Sequence, residues 1–238
     1  MATPVPQCWQ DVENILNSGI DRVILFGPPG TGKTFAGLNI GNVANGAWRL
    51  ICTEDMTKAE VEGHFIPNAQ GAWSWRDGAA IQAWNGDGQN GGRLVIDEID
   101  KAGGDVLATL LAMTDSPESA RFEHPERGEV RPRQGFSVVM TTNLEHMEEL
   151  PTALRDRFPV AIRINQPHPD ALAKLSQDLR NYAVQMADAG DRRISLRAFY
   201  AFDAMRKSLG DAEAARLVLG ADKARAFMDA IAINAVAK

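Results

Sequence analysis

Apolar residues gather in five short runs along this chain, at 22–26, 48–53, 93–97, 136–141 and 160–164, and stretches of helical spacing separate them. Arg22-Val23-Ile24-Leu25-Phe26 and Leu94-Val95-Ile96 are rich in β-branched residues with no alternation of polar and apolar positions. That is the pattern of strands buried on both faces. Runs of this kind alternating with helices predict an α/β fold, a parallel sheet flanked by helices. A helix is expected over 34–44, directly after the first glycine-rich turn. The alternation stops at Gln166-Pro167-His168-Pro169. Beyond it, 170–189, 195–208, 211–219 and 221–236 carry Ala, Leu and Met at helical spacing, and Gly190, Gly210 and Gly220 fall where helices should end. The expected organisation is an α/β core over 1–167 and a helical subdomain over 168–238.

Two stretches fit the alternation badly, 64–78 (HFIPNAQGAWSWRDG) and 116–135 (SPESARFEHPERGEVRPRQG). Both are rich in turn formers and read as hairpins inserted into the sheet. In the first, Trp73 and Trp75 share a face if the segment is extended. They either pack on the domain's own surface or project to grip a partner.

Composition narrows the classes. The chain has 238 residues, 45% hydrophobic and 24% charged, as an ordinary globular protein has. It contains no run of about 18 apolar residues that would span a membrane. MATPVPQCWQD lacks the basic and apolar segments of a signal peptide. Two cysteines, Cys8 and Cys52, are too few for a disulfide framework or a zinc site, so cytoplasmic residence with thiols is expected. With Lys plus Arg 25 against Asp plus Glu 31, the net charge is −6, which disfavours general nucleic-acid binding. Arg121, Arg127, Arg131 and Arg133 are interleaved with Glu123, Glu126 and Glu129, the pattern of a solvated hairpin rather than of a DNA-binding arm.

The chemistry concentrates at strand ends. Gly27-Pro28-Pro29-Gly30-Thr31-Gly32-Lys33-Thr34 fits G-x-x-x-x-G-K-[ST]. Glycines let successive backbone N–H groups point inward as an anion nest. Lys33 can then reach the β- and γ-phosphates of a nucleoside triphosphate, and the Thr34 hydroxyl can ligate Mg²⁺. A strand precedes this loop and a helix follows it, so phosphates would meet a helix N-terminus beyond the carboxyl end of the sheet. In Leu94-Val95-Ile96-Asp97-Glu98-Ile99-Asp100, Asp97 stands where a strand ends and can hold Mg²⁺. Glu98 can polarise a water for in-line attack on the γ-phosphate. Asn143, at the tip of the run 136–143, can orient that water if its strand neighbours the acidic one, or can simply form a turn. Leu154-Arg155-Asp156-Arg157-Phe158-Pro159 holds two arginines. One can stabilise transition-state charge on a neighbour's γ-phosphate, worth about 10³–10⁵ in rate, or can pair with Asp156 on the surface. No Asn-Lys-x-Asp motif for guanine occurs, which favours ATP.

GPPGTGKT, LVIDEID, the strand ending TTN, and ALRDRF occur in this order at intervals that closely resemble an AAA+ ATPase. The likeness covers about 27–165, and the helical tail is similar in kind to the family's lid. Within the class the chain most resembles the MoxR and dynein-related branch. There, a segment like 71–78 precedes a helix and then a Gly-Gly ahead of the acidic strand, here Gly91-Gly92. The 116–135 stretch resembles the hairpin that this branch inserts before the Asn-bearing strand. The resemblance implies a Walker A loop at Gly27 to Thr34, Walker B carboxylates at Asp97 and Glu98, and sensor 1 at Asn143. It implies an arginine finger at Arg157, with Arg155 second to it, and sensor 2 at Arg197, with Arg192 and Arg193 as alternatives. It further implies ATP and Mg²⁺ as ligands and a homo-oligomeric ring, usually a hexamer, with nucleotide between subunits. The activity expected is an ATP-hydrolysing ring of MoxR type that remodels or helps assemble a protein partner, such as one with a von Willebrand A domain. The competing expectation is a nucleic-acid motor or loader in replication, restriction or packaging. A third, non-hydrolytic switch is opposed by the presence of Glu98, Asn143 and Arg157. No substrate-recognition domain is evident beside core and lid, so specificity is expected from a separate partner or from the hairpins.

Overall fold

The computed structural model describes residues 5–69 and 71–236. The chain opens with α1 (Gln7–Asn17), β1 (Arg22–Phe26) and α2 (Lys33–Asn39). There follow β2 (Ala47–Ile51), α3 (Lys58–Glu62), the hairpin strands β3 (Gly63–Pro67) and β4 (Trp73–Asp77), and α4 (Ala79–Asn85). Next come β5 (Arg93–Asp97), α5 (Gly104–Met113), the short strands β6 (Phe122–His124) and β7 (Gly128–Val130), and β8 (Ser137–Thr141). The remainder is α6 (Thr152–Arg157), β9 (Val160–Arg163), α7 (Pro169–Ala173), α8 (Gln177–Met186), α9 (Leu196–Leu209), α10 (Asp211–Leu219) and α11 (Ala221–Val236). Two compact units result. One is residues 11–27 with 33–163, and the other joins the segment up to Gln10, the loop Pro28–Gly32 and the chain from Ile164 onward.

The first unit is built on a five-stranded sheet in the order β2-β5-β8-β1-β9, and every neighbouring pair is parallel. The five apolar runs of the sequence are these five strands: 22–26 and 93–97 have the same bounds, and the other three differ by one or two residues at an end. Parallel strands need crossovers, and the crossing helices cover both faces, so all five residues of β5 are buried. The core gathers Ile24, Leu94, Ile96, Val138 and Met140 from the sheet with Trp84, Ile99, Leu110, Phe136 and Phe158 from the flanking segments. The register aligns the carboxyl ends: Leu25 faces Thr141, Ile96 faces Met140 and Ile51 faces Asp97. Side chains that leave these ends therefore meet at one edge of the sheet.

The helix expected over 34–44 is shorter, because α2 stops at Asn39. Gly41 has φ +79°, a conformation that ends helices, and a Cβ there would lie 2.4 Å from the Leu16 carbonyl oxygen. Arg93, only 3% exposed, seals the helix end by donating to the carbonyls of Gly37 (3.1 Å) and Ile40. The expected helix 170–189 is likewise two, α7 and α8. The Asp203 carboxylate accepts the Ser176 amide at 2.8 Å, which draws that residue out of helical pairing and sets the start of α8.

Both inserted segments are antiparallel hairpins, β3–β4 and β6–β7. Trp75 packs edge-on to Phe65 (5.1 Å) and His124 (5.6 Å) and lies 6.2 Å from Phe122, so it joins one hairpin to the other. Trp73 stays 68% exposed. The Asp77 carboxylate accepts Arg127 on both oxygens at 2.7 Å and His124 Nε2 at 2.9 Å. His124 Nδ1 accepts the Glu126 amide at 3.1 Å, so the ring proton sits on Nε2. Arg131 pairs with Glu129 at 2.9 Å, and Arg133 donates to the Gly88 carbonyl.

The second unit centres on an aromatic cluster of Tyr182, Phe199, Phe202 and Phe227, whose ring centroids lie 4.9–5.8 Å apart. Leu172, Leu179, Ala214, Ala215 and Ile231 complete its core. Ser195 caps α9 by accepting the Ala198 amide at 3.2 Å.

Candidate functional site

Lys33 opens α2 and is 5% exposed. Its ammonium donates to the Gly27 carbonyl at 2.7 Å and to Asn143 Oδ1 at 3.1 Å. The next residue, Thr34, donates its hydroxyl to Asp97 Oδ1 at 2.8 Å. Asp97 ends β5 and sits beside the end of β8, so the Thr141 hydroxyl also reaches Oδ1. From β2, Arg49 donates to Oδ2 through Nε at 3.1 Å and through Nη2. Burial raises the Asp97 carboxyl, but the hydrogen bonds from Thr141, Arg49 and Thr34 and the charge of Arg49 outweigh it, and the group lies below the usual carboxylate range. A threonine hydroxyl and an ionised carboxylate in contact form the oxygen donor pair that a small divalent cation takes.

Glu98 has different company. Its φ is 58°, and among the described residues no other non-glycine has a positive φ. The strand turns abruptly there into the tight 3-10 turn Ile99–Lys101, and such left-handed conformations gather at functional sites. Asn143 Nδ2 donates to Glu98 Oε1 at 3.4 Å, while Lys101 pairs with Oε2. Asn143 thus links Lys33 to Glu98, because β8 neighbours β5. Thr142 donates to Asp100 at 2.6 Å and ties the turn to the end of β8. The Cys52 thiol is pushed up to about 12, first by burial and then by the charges of Asp100, Asp97 and Glu98.

In the loop, Gly27, Gly30 and Gly32 have φ of +113°, +77° and +110°, which side chains other than glycine resist. Thr31 is 3% exposed and its hydroxyl donates to the Pro28 carbonyl at 3.0 Å, so Pro28, Pro29 and Thr31 form a tight turn. Within the helical unit, a Cβ on Gly30 would lie 3.4 Å from Ser195 Cβ and 3.7 Å from Arg193 Nη2. Of Arg192, Arg193 and Arg197, Arg193 is the one at Gly30, whereas Arg192 and Arg197 are exposed.

Arg155 and Arg157 both lie on α6. Arg155 donates to the Thr152 hydroxyl at 3.2 Å. Arg157 donates to the Ala153 carbonyl at 3.3 Å and to Asp115 at 3.4 Å, so its carboxylate partner is Asp115 rather than Asp156. Among the described residues, the Nε atoms of both are buried with no hydrogen-bond partner.

Three residues of the site carry no sequence signal. Thr141 looks like any strand residue, and only the β5–β8 register puts it on Asp97. Arg49 looks like the polar position of an edge strand. Lys101 reads as a solvated charge after an acidic run, and only the turn at Glu98 brings it back.

Crystal structures of NtrX from Brucella abortus share the fold, with TM-score 0.58 at 16% identity over 85% of this chain and 49% of theirs. The NtrX complex with ADP gives 0.58 at 16% identity over 88% and 53%, and the complex with ATP gives 0.57 at 16% over 94% and 58%. This chain therefore spans about half the length of the NtrX chain it matches (49%). No curated protein matches it. The family model for the AAA domain, dynein-related subfamily, matches residues 22–158, the segment that holds every strand of the parallel sheet except β9 together with Lys33, Thr34, Asp97, Glu98 and Asn143. This chain belongs to the dynein-related subfamily of AAA domains.

Proposed function

We propose that the chain is a Mg²⁺-dependent ATPase of MoxR type that works as a homo-oligomeric ring, usually hexameric, and remodels or helps assemble a protein partner. In this reading residues 1–167 are the nucleotide-binding core and 168–238 the lid. The observation that carries it is the division of labour between adjacent carboxylates: Asp97 is bound by the Thr34 hydroxyl, and Glu98 is bound by the Asn143 amide that also holds Lys33.

Gly27, Pro28, Pro29, Gly30, Thr31 and Gly32 present backbone amides to the phosphates, and Lys33 supplies a positive charge to the β- and γ-phosphates. Thr34 and Asp97 are the residues that would hold Mg²⁺, which supplies neutralisation of phosphate charge when bound. Glu98 Oε1 takes the proton of the attacking water, and Asn143 orients that water without competing for its proton. Arg157, with Arg155 second, acts on the γ-phosphate of a neighbouring subunit. In the lid, Arg193 Nη2 lies 3.7 Å from where a Cβ on Gly30 would stand, which makes it the stronger sensor 2 candidate, ahead of Arg197.

A protein client is favoured over nucleic acid. Arg127, Arg131 and Arg133 are engaged by Asp77, Glu129 and the Gly88 carbonyl, while Trp73 presents an exposed aromatic ring. Affinity capture with Glu98→Gln in MgATP tests this. Retention of a protein that ADP releases is the expected result, and retention of nucleic acid alone contradicts it.

A further inference from the structure

We infer that Arg49 is the resident counter-ion of Asp97, that a divalent cation entering the site displaces it, and that Arg49 thereby sets how much metal the site requires. The inference rests on the reading of Thr34 and Asp97 as the metal-holding pair.

The placement follows from the sheet. Arg49 pairs with Val95, and Val95 and Asp97 share a face because side chains alternate along a strand. Arg49 is long enough to run along that face to the carboxylate two positions on. The two oxygens of Asp97 have different partners. Oδ1 receives the hydroxyls of Thr34 and Thr141, and Oδ2 receives Nε and Nη2 of Arg49. The pair is unequal in exposure: the Arg49 side chain is 43% exposed and the Asp97 side chain 7%. A buried carboxylate needs a compensating partner, whereas a half-exposed guanidinium can return to water at small cost. A cation held by Thr34 and Asp97 would meet the charge of Arg49 across one carboxylate, and like charges so close repel. Arg49 is thus a positioning residue: it keeps Asp97 turned toward Thr34 before metal arrives and competes with the metal afterwards.

The test is the Mg²⁺ requirement for binding a fluorescent ATP analogue at equilibrium. In Arg49→Gln the Mg²⁺ concentration for half-maximal binding should fall about tenfold. Arg49→Lys retains the charge and should stay within about threefold of wild type. MgCl₂ without nucleotide should raise the Tm of Arg49→Gln more than that of wild type. Equal Mg²⁺ requirements for Arg49→Gln and wild type would overturn the inference. Wild-type protein gives an independent reading through the Arg49 Nε resonance in ¹⁵N-arginine-labelled samples. That N–H should exchange slowly without metal and lose protection when Mg²⁺ and the analogue are added; an unchanged resonance overturns the inference whether or not the variants fold. Failure of wild type to bind the analogue in a Mg²⁺-dependent way is a separate result, which removes the reading of the site itself.

Discussion

Asp97 and Glu98 are adjacent in sequence, yet the backbone sends them to different partners. The sheet holds Asp97 in extended conformation among hydroxyls and a guanidinium, and the left-handed turn at Glu98 aims the second carboxylate at Asn143. Lys33, Thr34, Asp97 and Glu98 are legible as candidates because they stand in contiguous motifs whose residue types suit phosphate and metal chemistry. Thr141, Arg49 and Lys101 are not, because strand order and one backbone turn bring them in. Burial first, and then the charges of Asp100, Asp97 and Glu98, act on Cys52 in this corner. Its thiol is raised from 9.0 to about 12, so at pH 8 it should resist alkylation in the native protein while Cys8, half-buried, reacts first. The folded state keeps this proton longer than the unfolded chain does. The group's contribution to stability is therefore complete below pH 9 and declines as pH rises toward about 12. Mass spectrometry of alkylated peptides checks the first point; equal labelling of both thiols would contradict it.

At the scale of elements, the sequence reveals the five strands because a sheet buried on both faces leaves continuous apolar runs. It overstates α2 and merges α7 with α8 because the determinants are distant: the Leu16 carbonyl beside Gly41, Arg93 at the helix end, and the Asp203 carboxylate on Ser176. The hairpins were legible as insertions, but their fastening through Asp77 was not. Asp77→Ala leaves the His124 ring, whose side chain is 2% exposed, without its acceptor. It should cost about 1–3 kcal/mol in urea unfolding. Trp73→Ser removes only an exposed ring and should change stability by less than about 0.5 kcal/mol. An unchanged midpoint for Asp77→Ala would show that the hairpins are held by packing alone.

For the whole molecule, the proposed role of Arg157 implies that a nucleotide site is completed by a second copy of the chain. Arg157→Ala should bind nucleotide within a small factor of wild type but lose hydrolysis, and so should Lys33→Ala lose it for want of phosphate binding. Mixing the two should restore part of the activity, since rings then contain subunits whose intact Lys33 meets an intact Arg157. No recovery at concentrations that support wild-type turnover would place the arginine's action elsewhere. Among the described residues, no helix is long and apolar enough to cross a membrane. The split between binding and turnover in Glu98→Gln tests the roles proposed for Asp97 and Glu98. If Glu98 takes the proton of the attacking water, Mg²⁺-dependent ATP affinity stays near that of wild type while turnover falls by at least about 100-fold. Hydrolysis by Glu98→Gln at the wild-type rate would contradict it.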